Sequence, residues 1–74
     1  MNLSNTKKDR SYKIKNIYGG RQFVDKMESM GILKGTTVQR VNANLGGGPI
    51  IIEVGNSQYA LGRGMAAKIE VEEL

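Results

Sequence analysis

The side chains that usually carry chemistry are unevenly represented in this 74-residue chain: seven carboxylates, eleven lysines and arginines, four methionines, no histidine and no cysteine. Nucleophile–base pairs of the common kinds need His or Cys, so that class of catalysis lacks its parts. The carboxylates are Asp9, Asp25, Glu28, Glu53, Glu70, Glu72 and Glu73. Most of their sequence positions fall on outward faces or at element ends, and no pair is placed where burial would drive its pKa values apart. An enzyme is not expected. Iron or zinc would have to be held by carboxylate, thioether and water, in place of the ligands these ions prefer. Met27, Met30 and Met65 occupy apolar positions and read as core filling, with Met65 plugging the barrel. No metal site or cofactor is expected. Neither Gly46–Gly48 nor the stretch from Gly31 to Thr36 has the G-x-x-x-x-G-K-[ST] order that cradles phosphates, so direct nucleotide binding is not expected either.

What remains is a binding surface. Residues 1–21 carry Lys7, Lys8, Arg10, Lys13, Lys15 and Arg21 against Asp9, a net +5, while residues 22–74 are net −1. The basic character therefore belongs to the first strand and its lead-in, which could solvate the fold or meet an acidic partner or nucleic acid. The nucleic-acid reading has a thin stacking platform, since Tyr12, Tyr18, Phe23 and Tyr59 are the only aromatics and Phe23 is read as core. For protein contact two residues stand out. Arg63 is flanked by Gly62 and Gly64, and Leu45 is an apolar residue in a glycine-rich loop. The helix–turn corner containing Gly31 and Leu33, and the turn containing Arg63 and Met65, complete the candidate surface.

The elements that must position these residues follow from periodicity. In Arg21–Val41, Phe23, Val24, Met27 and Met30 mark one face of a short amphipathic helix. Gly31 stands where a helix end needs positive φ, and Ile32 can fold back onto Met27. Thr36, Thr37 and Val38 then switch the preference to strand. Ser11–Tyr18 alternates, Tyr12 and Ile14 against Lys13 and Lys15, until Ile17 breaks the period and predicts a bulge near Asn16. A second strand is expected over about Thr36–Ala43, with a bulge around Gln39–Arg40 to bring Val38 and Val41 to one face. Pro49–Val54 and Ser57–Leu61 form a hairpin across Gly55–Asn56. Gly62–Ala67 is a turn or single 3₁₀ turn, and Lys68–Glu72 is the last strand, Ile69 and Val71 inward. Residues 1–10 form a flexible lead-in with Leu3 as its one anchor, and residues 11–74 form a single domain. No stretch approaches the ~20 apolar residues of a membrane-spanning helix, and no signal peptide core is present, so a cytoplasmic location is expected. Five short strands cannot bury a flat face in so short a chain. The expected class is all-β with one short inserted helix, a small, partly open five-stranded SH3-like barrel.

These elements carry a resemblance. Lys26-Met27-x-x-Met30-Gly31-Ile32-x-x-Gly35-Thr36-x-Val38 is similar to the R-L-x-x-L-G-[IL]-x-x-G-x-x-V of FeoA-type domains. Gly48-Pro49-Ile50 resembles the turn before their third strand, and Tyr59-Ala60-Leu61-Gly62-Arg63-Gly64-Met65-Ala66-x-x-Ile69-x-Val71 their closing segment. The resemblance runs from Leu3 to Val71. It departs at Thr6 and Asp9, where the family often has leucine and glycine, and at Lys26, which replaces a frequent arginine. FeoA-type domains also resemble the C-terminal domains of iron-dependent repressors, but no DNA-reading helix pair precedes the barrel. The resemblance implies a cytoplasmic accessory protein of ferrous iron uptake that contacts the FeoB-type GTP-dependent transporter. In that setting Arg63 could supply a charge to a GTPase site. A basic barrel that binds nucleic acid is the alternative, and a homo-oligomer subunit a third reading.

Overall fold

The computed structural model describes residues 1–43 and 46–74. Its regular elements are a 3₁₀ turn (Leu3–Asn5), β1 (Ser11–Ile17), α1 (Arg21–Ser29), β2 (Thr37–Arg40), β3 (Ile50–Val54), β4 (Ser57–Leu61), a one-turn helix α2 (Arg63–Ala66) and β5 (Ile69–Glu73). The strands form one antiparallel sheet in the order β4-β3-β2-β1-β5, the open SH3-like arrangement that the strand pattern predicts. Leu3, Tyr12, Ile14, Met27, Ile32, Val38, Ile50, Ile52, Leu61, Ala66, Ile69 and Val71 make a single buried core.

In β1 the alternation predicted for Tyr12 and Ile14 is present, and the register against β5 shifts between Ile14 and Asn16. Across Gly55–Asn56, Val54 pairs with Ser57. Only Gly55 of the two turn residues has positive φ, +59°, the pattern of a type II′ turn that matches the twist of its strands. In β2 the expectation is corrected. The strand is four residues long and regular, and the residue sharing the inner face with Val38 is Arg40, 1% exposed, not Val41. Period-two geometry won over hydropathy: a bulge is unnecessary once the cation itself is accepted inside. Val41 lies past the strand end, half-buried, its amide donating to the Ile51 carbonyl at 2.8 Å.

The lead-in packs against the sheet through Leu3, the anchor expected from sequence, and through backbone bonds. Leu3 is fully buried, the Val71 amide donates to the Met1 carbonyl at 2.8 Å, and Asn2 bridges Glu70. This short pairing covers the outer edge of β5, which would otherwise offer unpaired backbone groups. Further along, the Asp9 amide donates to the Arg40 carbonyl at 2.7 Å and the Arg40 amide to the Arg10 carbonyl at 2.9 Å. Composition alone could not show this, because the segment is held through backbone groups, one leucine and bonds to the distant side chains of Tyr12 and Arg40.

Candidate partner-binding surface

The corner after α1 is built by backbone bonds. Gly31 takes φ +80°, its amide donates to the Glu28 carbonyl at 3.0 Å, and the Ile32 amide donates to the Met27 carbonyl at 2.9 Å. These two bonds make the Schellman end of the helix and send Ile32 into the core beside Met27. The Thr36 amide then donates to the Leu33 carbonyl, and the Gly35 amide, at φ +92°, to the Ile14 carbonyl at 2.7 Å. The turn is thus tied to β1, and what it presents outward is Leu33, 41% exposed, and Lys34. Two hollows flank it. One, about 250 Å³, is lined by Lys13, Ile14, Lys15, Lys34 and Gly35. The other, about 190 Å³, is lined by Asn16, Ile17, Val24, Glu28, Leu33 and Lys34.

Of the contact residues expected from sequence, Gly31 and Leu33 share this corner. A Cβ on Gly31 would stand 3.5 Å from Val54, so the corner abuts the Val54 end of β3. Arg63 belongs to the other end. It follows Leu61, which pairs with Ile50, and Gly47 lies near its guanidinium. Ile50 and Val54 are separated by roughly 13 Å along the strand, so the expected surface divides into two patches. Leu45 lies outside the described residues. Met65 is half-buried, packed on the margin of the core; the residue that enters the core from this segment is Ala66. The segment is one turn of α-helix, with the Ala66 amide on the Gly62 carbonyl at 2.9 Å and the Ala67 amide on the Arg63 carbonyl at 2.9 Å. Its backbone comes close enough to the core that a methyl group fills the space.

Electrostatics distinguish two further places. Asn16 and the Tyr18 hydroxyl both donate to Glu70 Oε1, at 3.3 and 2.8 Å. Bonding from Tyr18, then Asn16, holds the Glu70 carboxyl below its ordinary range, and the same carboxylate pushes the Tyr18 hydroxyl up. Arg40 is the residue that sequence reasoning missed. Its Nη1 donates to the Thr6 carbonyl at 2.8 Å and to Thr6 Oγ1 at 3.1 Å, and its Nε donates to Asn42 Oδ1 at 3.0 Å. Asn42 also accepts from the Ile51 amide and donates to the Pro49 carbonyl, clamping the two ends of the β2–β3 loop. Nη2 is buried without a partner among the described residues. Burial first, and Arg63 in addition, lower the Arg40 pKa, while Tyr12 acts in the opposite direction. The Val38-x-Arg40 spacing was the available signal. Among the described residues no three acidic side chains converge to hold a metal ion, and no helix is long and apolar enough to cross a membrane.

Comparison with known proteins decides the family. The FeoA domain model matches residues 1–73. The chain belongs to the FeoA family. That family is associated with ferrous iron transport. A crystal structure of an iron uptake regulatory FeoA protein is 35% identical, with all of this chain and 97% of that one covered and a TM-score of 0.91. The iron(II) transport protein A of Clostridium thermocellum is 28% identical at a TM-score of 0.92, with all of this chain and 46% of that one covered. The Stenotrophomonas maltophilia FeoA, solved with zinc and described as an SH3-domain protein and a candidate activating factor of ferrous iron transport, is 24% identical at a TM-score of 0.79, with 97% of this chain and 89% of that one covered. The fold also occurs in ScaR, solved with bound Zn2+, at 19% identity and a TM-score of 0.87, with all of this chain and 37% of that one covered. A search of curated proteins gives no match.

Proposed function

We propose that this FeoA-family chain works in the cytoplasm as a non-enzymatic partner of a FeoB-type transporter, docking on its cytoplasmic region to support or regulate iron uptake. The observation that carries the reading is the corner at Leu33–Lys34. An apolar and a cationic side chain are held outward on a turn whose backbone is bonded to both α1 and β1, a preorganised contact that costs little to order on binding. The described side chains around it include no nucleophile–base pair and no metal-binding cluster, so recognition is the chemistry they support.

Calorimetry of the protein against the transporter's isolated cytoplasmic domain, with and without a GTP analogue, tests the reading. Nucleotide-dependent binding is the expected result. Absence of binding in every nucleotide state refutes a cytoplasmic docking site. Arg63 is exposed, so it remains available as a charge donor to a GTPase site. Unchanged GTP turnover by the transporter with the Arg63→Ala variant would dispose of that role while leaving docking intact.

A further inference from the structure

We propose that the two hollows flanking Leu33–Gly35 form one groove for an acidic segment of a protein partner. Its carboxylates would meet Lys13, Lys15 and Lys34, and an apolar side chain would sit among Ile17, Val24 and Leu33. The inference rests on the docking reading above and specifies the chemistry of the surface. Lys34 lines both hollows, which makes them neighbours across a single side chain. Lys13 and Lys15 lie two apart on β1 and are both exposed, so they project from the same face. Among the described ion pairs Lys15 meets Glu72 at 3.5 Å, whereas Lys13 and Lys34 enter none. Glu28 is the one carboxylate lining either hollow. Cationic charge therefore exceeds its local compensation, and an acidic ligand supplies the difference.

Size and lining select the kind of ligand. At about 250 and 190 Å³ on either side of Lys34, the hollows are two small sites divided by one side chain, which successive side chains of a peptide fill better than one metabolite. Nucleic acid would also suit the lysines. The second hollow, however, is aliphatic, and the nearest exposed aromatic in sequence, Tyr18, has its hydroxyl bonded to Glu70. A stacking platform beside the cations is what a single strand would need. An apolar anchor rimmed by charge is what a protein segment provides.

The test uses isotope-labelled protein and an acetylated hexapeptide, Asp-Glu-Leu-Phe-Glu-Asp, with its Asn/Gln counterpart as control. Amide shifts confined to residues 13–17, Val24 and 33–35, seen with the acidic peptide and weakened by salt, are expected. Charge reversal at the groove, K13E with K34E, should weaken binding by roughly tenfold or more. The control reversal K7E with K8E changes net charge equally and should leave affinity unchanged. Equal weakening by both pairs, shifts elsewhere, or no shifts overturn the groove. Stronger shifts of the same amides by a mixed-sequence single-stranded oligonucleotide would also overturn it, in favour of a phosphate backbone. The transporter's cytoplasmic domain separates the two claims. If it binds wild type and the K13E/K34E variant alike, the groove fails and the docking reading stands. If the peptide occupies the groove and the domain binds neither, the transporter reading fails and the groove stands.

Discussion

Replacing Arg40 by methionine and, separately, by alanine divides what this buried cation does into a polar and a packing share. The guanidinium makes three hydrogen bonds, two to Thr6 and one to Asn42. Bonds to a charged group are worth about 1.5–3 kcal/mol each. Against them stand a buried charge without a carboxylate, which costs several kcal/mol, and an Nη2 unpartnered among the described residues, which costs about 1–3 kcal/mol more. The two sides are similar in size, so the charge itself contributes little net stability. The stem differs. Three buried methylenes are worth about 0.8 kcal/mol each, and alanine adds the cost of an unfilled cavity. Arg40→Met keeps most of that volume but leaves the Thr6 carbonyl short of a donor, so its expected cost is about 0–2 kcal/mol. Arg40→Ala should cost about 2–3 kcal/mol beyond that. In a domain of this size the gap corresponds to roughly 10–20 °C in melting temperature, readable by calorimetric or circular-dichroism melts. If the methionine variant melts as low as the alanine variant, the guanidinium bonds dominate and the reasoning is wrong.

Other consequences are open to measurement. Gly31→Ala forces a Cβ onto φ +80° and should cost about 1 kcal/mol in urea unfolding; an unchanged midpoint would refute the helix-end assignment. Leu3→Ala should destabilise by about 2–5 kcal/mol, because Leu3 is fully buried, whereas a freely moving lead-in would show no effect. NMR titration should find Glu70 below the ordinary carboxylate range and Tyr18 above the ordinary tyrosine value. The depressed Glu70 pKa gives stability that is present above the ordinary carboxylate range and is lost as pH falls through the folded value. The raised Tyr18 pKa gives stability present below the ordinary tyrosine value and lost as pH rises through the folded value. Tyr18→Phe should move Glu70 upward, yet not all the way, since Asn16 still donates; no movement would mean the bond is absent in solution.

The sequence by itself determined the five strands, the helix after the first of them and their order. Periods of two in Ser11–Ile17 and of 3.6 in Arg21–Ser29, glycine at the helix end and Gly55–Asn56 at the hairpin are local signals, and each is read from residues close in the chain. The bulge near Asn16 belongs with them, because Ile17 breaks an otherwise regular alternation. Gly31 and Leu33 could be placed at a corner for the same reason. The tertiary structure alone decided which residue of β2 turns inward, because a cation is admitted to a core only where distant groups accept its protons. Thr6, 34 positions away, supplies the acceptors. It likewise decided that the lead-in is docked, since backbone pairing with β5 leaves no trace in side-chain type. The same holds for the surface. Lys13, Lys15 and Lys34 are separated in sequence and become one lining only when the Gly35 amide ties its turn to β1. Arg63, similar to them in charge, is carried to the far end of the β3–β4 hairpin by strand length.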